Sequence, residues 1–372
     1  MKKNLIIFGT RPEAIKMAPL VKAFQIDGSF ETKVCVTAQH REMLDQVLEF
    51  FNIHPDFDLN LMKPDQNLYT LTADIIVGLK PILEDFRPDY VYVHGDTTTT
   101  MASAIAAFYS GAKVCHVEAG LRTFNRRIPF PEEINRQISG RISDYHFAPT
   151  ESAKNNLLLE NIPEQSILVT GNTVIDALMN SNDHIKTINH KEINYLESVL
   201  DLSKRIISVT CHRRENHGQG FIDICESIKE IANSNQELQI VFPVHLSPNV
   251  RGPVFEILSG LANVFLIEPL SYPSFVWLMG QSYLIITDSG GVQEEAPSLG
   301  KPVLVVRETT ERPEAVNAGT VILVGTDKAK IVFEANDLLN NRMRYQQMSE
   351  LHNPYGDGKA TERIVSFIKK LH

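Results

Sequence analysis

The sequence predicts an α/β fold of two doubly wound halves. Short β-branched runs alternate with longer stretches of helical period, the mark of parallel sheets covered by helices. The series restarts after a polar stretch poor in strand formers at 183–203. A length of 372 residues suits two domains rather than one. In order, the first strand is Leu5 to Phe8, which stops at Gly9-Thr10-Arg11-Pro12-Glu13. That apolar run is too short for a signal sequence despite the basic start Met1-Lys2-Lys3. Lys33 to Thr37, Tyr90 to His94, Lys113 to Val117, Tyr145 to Phe147 and Ile167 to Val169 follow, with helical patterns between them. A domain boundary falls between Gly171 and Ser203. Strands at Arg205 to Thr210, Gln239 to Val244, Val264 to Ile267, Leu284 to Thr287, Val303 to Val306 and Val321 to Leu323 build the second half. Gly356 to Leu371 places Ala360, Ile364, Phe367 and Ile368 on one stripe, so a terminal helix is expected to pack back on the first domain.

The 43% hydrophobic and 22% charged content is that of a globular chain. A net charge of -9 argues against general attraction to nucleic acid or anionic membrane, so a bound anion must meet a local positive site. No run approaches the roughly 18 apolar residues needed to span a bilayer, and a soluble, cytoplasmic chain is expected. Cys35, Cys115, Cys211 and Cys225 are widely spaced and read as buried, reduced thiols.

In doubly wound halves the functional loops follow the carboxyl ends of the strands. Arg11 and Lys16 sit near the first helix amino terminus, where cations oppose the helix dipole; a phosphate or diphosphate bound there would offset that cost, the alternative being a solvated pair. The absence of G-x-G-x-x-G and P-loop patterns argues against an ordinary dinucleotide site. Asp96 and Glu118 end neighbouring strands, and two close acids raise one another's proton affinity. The loop Leu121 to Pro131 holds Arg122, Arg126 and Arg127 and leads into a helix in which Glu132 is expected to face Arg136 at i,i+4. The pair reads as a helix salt bridge or as an ionised acid under a closing loop. In the second half, His212 and Arg213 after a strand suit diphosphate binding or proton transfer. Ser289-Gly290-Gly291 offers open backbone amides, Glu295 could accept from a ribose diol, and Arg312 precedes a further helix. His212, His217 and His245 fit no zinc spacing, so no metal is expected.

Taken together, Gly9 to Pro19 (GTRPEAIKMAP), His94-Gly95-Asp96, His116 to Arg122 (HVEAGLR), His212 to Asn216 (HRREN) and Asp288 to Glu295 (DSGGVQEE) resemble the non-hydrolysing UDP-N-acetylglucosamine 2-epimerases over essentially the whole chain. The resemblance implies two Rossmann-like domains of the glycosyltransferase-B type: residues 1–175 with the terminal helix 357–372, and a UDP-binding domain at 176–356. It also implies a nucleotide-sugar between the domains, a homodimer and no cofactor. By it, Asp96, Glu118, Glu132 and His212 are catalytic, while Arg11, Lys16, Arg136, Phe275, Ser289, Gly290, Gly291, Glu295 and Arg312 bind substrate. Gln39, His40, Gln46, Gln66, Arg213 and His245 resemble residues of a second, regulatory nucleotide-sugar position. Asp65 and Leu270 depart from the pattern there, which weakens the regulatory expectation more than the catalytic one. The implied chemistry inverts sugar carbon 2 through elimination of UDP to 2-acetamidoglucal, in service of a cell-surface polysaccharide. The rival is a glycosyltransferase of the same architecture using a UDP-sugar donor, marked by dependence on an acceptor. A hydrolysing epimerase and a silent nucleotide-sugar sensor are further alternatives.

Overall fold

A computed structural model describes residues 1–38, 41–63, 66–310 and 312–371, and its strands form two separate parallel sheets. The first contains β1 (Lys2–Phe8), β2 (Phe30–Val36), β3 (Phe57–Asp58), β4 (Tyr90–His94), β5 (Lys113–Val117), β6 (Tyr145–Ala148) and β7 (Ile167–Val169), in the order β3-β2-β1-β4-β5-β6-β7. The second contains β8 (Ile206–Thr210), β9 (Gln239–Pro243), β10 (Val264–Ile267), β11 (Ser282–Thr287), β12 (Val303–Val305) and β13 (Val321–Leu323), in the order β10-β9-β8-β11-β12-β13. Each strand expected from the sequence is present. Only β3 was not foreseen, because two residues paired to Cys35 and Val36 carry no pattern of their own.

The strands form where they do because parallel strands covered on both faces need continuous apolar runs. Leu5 to Phe8 of β1 are at most 1% exposed, and Ile285 and Ile286 of β11 are fully buried. Both sheets reverse strand order beside their first strand, between β1 and β4 and between β8 and β11. At such switch points the loops after the two strands diverge and leave a crevice for ligand. Two Rossmann-like doubly wound units thus make up the chain, the composition of the glycosyltransferase-B type.

One unit comprises Met1–Ala177 with Tyr355–His372, and the other Leu178–Pro354. Within the first, the terminal helix Ala360–Lys370 sets Phe367 edge-on against Tyr145 and Phe147, with centroids 5.6 and 5.8 Å away. Asp176 caps this helix by accepting from the backbone N–H groups of Ala360 (3.2 Å) and Thr361 (2.8 Å). All four cysteines are buried and unpaired. No helix among the described residues is long and apolar enough to cross a membrane.

Candidate active site

The turn after β1 opens the helix Arg11–Ile26 with a capping box: Thr10 Oγ1 accepts from Glu13 N–H at 3.4 Å, and Glu13 Oε2 accepts from the N–H groups of Gly9 (3.0 Å) and Thr10 (2.8 Å). The other Glu13 oxygen accepts from the hydroxyls of Thr97 (2.6 Å) and Thr100 (3.3 Å), which follow β4. One buried carboxylate therefore ties together both loops of the switch point. Burial pushes Glu13 above the usual carboxylate range, against the hydrogen bonds from Thr97, Gly9 and Thr10.

Asp96 follows β4 and receives two hydrogen bonds from Arg136, Nε at 2.9 Å and Nη2 at 2.7 Å, while Asn135 Nδ2 donates to the Asp96 carbonyl at 2.9 Å. Glu118, after β5, has φ +59°, an uncommon backbone state for a residue other than glycine and one found often at functional turns. Its side chain is only 8% exposed, pairs with the Lys16 ammonium and accepts from Asn172 Nδ2 at 2.7 Å. A Cβ built on Gly95 would lie 3.6 Å from Glu118 Oε1, so this carboxylate stands over the residue that precedes Asp96. Two acids at neighbouring strand ends, each held by a cation, are thus brought together.

The expected Glu132–Arg136 pair is corrected. Arg136 turns to Asp96 and to Glu133 (3.3 Å), and no hydrogen bond or ion pair engages the half-buried Glu132 among the described residues. The helix Glu132–Ile142 buries Glu133 instead, where it accepts from Thr123 N–H (3.0 Å), Phe124 N–H (3.1 Å) and Gln137 Nε2 (3.1 Å). Burial alone would raise Glu133, but those donors and Arg136 hold it below its ordinary range. Glu133 thus fastens the start of the 121–131 loop. Arg122 is also fastened, bidentate on Glu160 at 2.6 and 2.8 Å, whereas Phe124, Ile128 and Phe130 are more than 60% exposed.

Three histidines stand under this site. His94 Nε2 lies 3.8 Å from Glu118, His116 Nε2 donates to the Gly95 carbonyl at 2.7 Å, and His146 Nε2 donates to the Gly140 carbonyl at 2.8 Å. Burial holds His94 down to about 4 and His116 down to about 3, so both are neutral near pH 7. A histidine with a depressed folded pKa takes up a proton more readily when unfolded, so it removes stability as pH falls below the unfolded value of about 6.5. Glu13 acts in the opposite sense, so the His116 contribution is best read from a variant. The stability advantage of wild type over His116→Gln should shrink by about 2 kcal/mol between about pH 7 and about pH 5 in urea unfolding. An advantage that stays constant with pH would show that His116 is not held neutral.

The second unit builds its site at the β8/β11 switch point. Asp288, fully buried at the end of β11, accepts from the backbone N–H groups of His212 (2.8 Å) and Arg213 (2.7 Å) after β8. Ser289 precedes the short helix Gly290–Glu295, and its N–H donates to Thr287 Oγ1 at 2.9 Å. A Cβ built on Gly291 would meet Glu295 Oε2 at 3.6 Å and Ser289 Oγ at 3.9 Å, so Ser289, Gly291 and Glu295 converge. One built on Gly290 would lie 4.0 Å from Arg213 Nη2. Arg312 pairs with buried Glu294, and Phe275 is half-buried in the first turn of the helix Tyr272–Gln281. Arg11, in the first unit, is likewise partly buried.

Of the regulatory candidates, Gln39 and His40 lie outside the described residues, as does Asp65. Gln46 is exposed on the helix Arg41–Phe50, and Gln66 Nε2 donates to the Leu61 carbonyl at 2.7 Å. His245 stacks on His212, with centroids 5.3 Å apart and planes 12° from parallel. Leu270 is partly buried. Among the described residues, no group of three His, Cys, Asp or Glu side chains is placed to hold a metal ion.

Sequence reasoning did not single out Glu13, Glu133, Asn172 or Asp288. Glu13 was legible as the fourth residue of the Thr10 capping box, and Asp288 as the acid closing β11. Choosing Glu133 over Glu132 depends on helix phase, and Asn172 reaches Glu118 across 54 residues with no local signal.

Known proteins resemble this chain over its length. A family model described as UDP-N-acetylglucosamine 2-epimerase matches residues 22–369. The UDP-N-acetylglucosamine 2-epimerase of Salmonella typhimurium is 59% identical over 369 residues, covering 99% of this chain and 98% of the relative. That of Escherichia coli K12 is 58% identical with the same coverage. The crystal structure of the Neisseria meningitidis UDP-GlcNAc 2-epimerase bound to UDP-GlcNAc superposes with a TM-score of 0.90 at 53% identity, covering 99% of this chain and 100% of that one. The Methanocaldococcus jannaschii enzyme in complex with UDP-GlcNAc and UDP gives a TM-score of 0.80 at 36% identity, over the full length of both chains. These matches favour the epimerase reading over the glycosyltransferase one, and the chain belongs to the UDP-N-acetylglucosamine 2-epimerase family.

Proposed function

We propose that this chain interconverts UDP-N-acetylglucosamine and UDP-N-acetylmannosamine by inversion at sugar carbon 2. The observation that carries the reading is the pair of cation-held carboxylates at neighbouring strand ends, Asp96 on Arg136 and Glu118 on Lys16, in a chain of this family. A base removes the carbon-2 proton while the bond from carbon 1 to the diphosphate oxygen breaks and its electron pair leaves with UDP. The product is 2-acetamidoglucal. A proton then reaches carbon 2 from the other face, and the UDP oxygen adds back to carbon 1. Because the carbon-2 proton is weakly acidic, much of the developing charge goes onto the diphosphate, so fixed cations and amides around it contribute strongly.

On this reading Asp96, Glu118, Glu132 and His212 share the two proton transfers, and Arg136 keeps Asp96 in place. Ser289, Gly290 and Gly291 take the diphosphate, with Arg11, Lys16 and Arg312 as further ligand contacts, Glu295 at the ribose and Phe275 at the uracil. The convergence of Ser289, Gly291 and Glu295 supports this placement. The resemblance to the family supports a homodimer.

Proton NMR of the purified chain with UDP-N-acetylglucosamine in heavy water, without metal or added NAD, tests the reading. Deuterium should enter carbon 2 as UDP-N-acetylmannosamine signals grow. Free N-acetylmannosamine accumulating with UDP would establish a hydrolysing enzyme instead, and absence of exchange with fresh substrate would overturn the reading.

A further inference from the structure

We infer that Asp288 is the positioning residue of His212: its second carboxylate oxygen fixes the imidazole with the proton on Nδ1 and leaves Nε2 to exchange protons with the substrate. The inference rests on the proposed elimination, in which His212 acts as acid or base.

Asp288 is fully buried at the end of β11, and its own N–H donates to the Thr210 carbonyl of β8 at 3.1 Å. Its Oδ2 accepts from His212 N–H (2.8 Å), Arg213 N–H (2.7 Å) and Asn216 Nδ2 (3.3 Å), which together set the plane of the carboxylate. Asn216 is itself anchored by donating to the Val306 carbonyl at 3.0 Å. Among the described residues Oδ1 is buried without a hydrogen-bond partner, and it lies 3.6 Å from His212 Nδ1, just beyond hydrogen-bond length. A buried acceptor with one ring nitrogen in front of it is satisfied only if that nitrogen carries the proton, since an ionised carboxylate accepts and never donates. The ring is stacked on His245, with planes 12° from parallel.

Charge points the same way. Burial holds His212 below its ordinary pKa, with His245 and Arg213 acting in the same sense and Asp288 against them. That direction favours a neutral resting ring, and the Nδ1 proton inferred from the geometry would leave its lone pair on Nε2. When Nε2 takes a proton, the imidazolium forms beside the Asp288 carboxylate, whose charge stabilises it.

Two-bond proton–nitrogen correlation spectra of the full-length protein carrying 15N-histidine read the tautomer directly, with His212 assigned from the spectrum of His212→Gln. In wild type the neutral ring should be protonated on Nδ1. Asp288→Asn keeps an oxygen for the two backbone donors but presents an NH2 group to Nδ1, so the proton should move to Nε2. Its kcat should fall about 10²- to 10⁴-fold while UDP affinity is kept, a split that a purely structural role would not give. A wild-type ring protonated on Nε2, or an unchanged tautomer in Asp288→Asn, would overturn the inference, and the wild-type spectrum decides even if the variant does not fold. Should wild type fail to exchange the carbon-2 proton, the proposed reaction falls while the tautomer remains measurable. Should both proteins exchange at equal rates, the reaction stands and the role of Asp288 falls.

Discussion

Glu118→Gln is expected to lower kcat by about 10²- to 10⁴-fold, the range for losing a positioned acid or base. The amide keeps the shape and can still accept from Asn172 Nδ2, now at 2.7 Å, but it cannot exchange a proton near neutral pH. A second effect must be separated from this one. Glu118 and Lys16 are both mostly buried, at 8% and 14% side-chain exposure, and removing one member of such a pair leaves the other charge uncompensated. Glu118→Gln should therefore also lose stability, visible as a lower urea midpoint. The double variant Glu118→Gln/Lys16→Met should recover part of that stability without recovering turnover, because it removes the stranded charge but restores no acid and gives up the proposed Lys16 ligand contact. Recovery of turnover along with stability would show that Glu118 only holds the fold. Wild-type turnover in the single variant would remove Glu118 from the chemistry altogether.

Much of this site was legible because doubly wound sheets bring strand ends together whatever lies between them in sequence. Asp96, Glu118, His212 and Ser289 could be nominated from their places after apolar strands, and the structure puts each of them there. What the sequence did not show was which neighbour each side chain would choose. Arg136 has Glu132 at i−4 and Glu133 at i−3, both reachable on a helix, and the choice falls to the acid that the 121–131 loop buries with two backbone N–H groups. Lys16 read as a cation waiting for diphosphate, yet its ammonium meets Glu118, 102 residues away. Asp288 looked like part of a glycine-rich turn because nothing in DSGG tells that its carboxylate faces the backbone of the next strand's loop. Contacts between strand ends depend on sheet order, which periodicity does not encode.

The turn that aims Glu118 should be among the least tolerant positions of the first unit, and Gly120→Ala is expected to destabilise it by about 2–6 kcal/mol, combining backbone strain with overpacking. Gly120 has φ +92°, and a Cβ added there would lie 2.2 Å from the Ala153 carbonyl oxygen and 3.1 Å from Leu157 Cδ1. The obstacle is backbone, so no side-chain rotation relieves it. The turn is also tied on both sides, by Ala119 N–H to the Phe147 carbonyl (3.1 Å) and by Asn156 Nδ2 to the Gly120 carbonyl (3.0 Å). Gly111→Ala is the internal control: it has a similar φ of +81° but nothing within 4 Å of the added carbon among the described residues, so it should cost only the left-handed backbone penalty of about 1–2 kcal/mol. The difference between the two variants in urea unfolding isolates the collision with Ala153. Equal stabilities would mean that the turn yields around the carbonyl. Any folded Gly120→Ala protein should also lose turnover, because shifting the turn moves Glu118 away from Lys16 and Asn172, whereas Gly111→Ala, at the far end of the helix Thr98–Ser110, should keep its kcat.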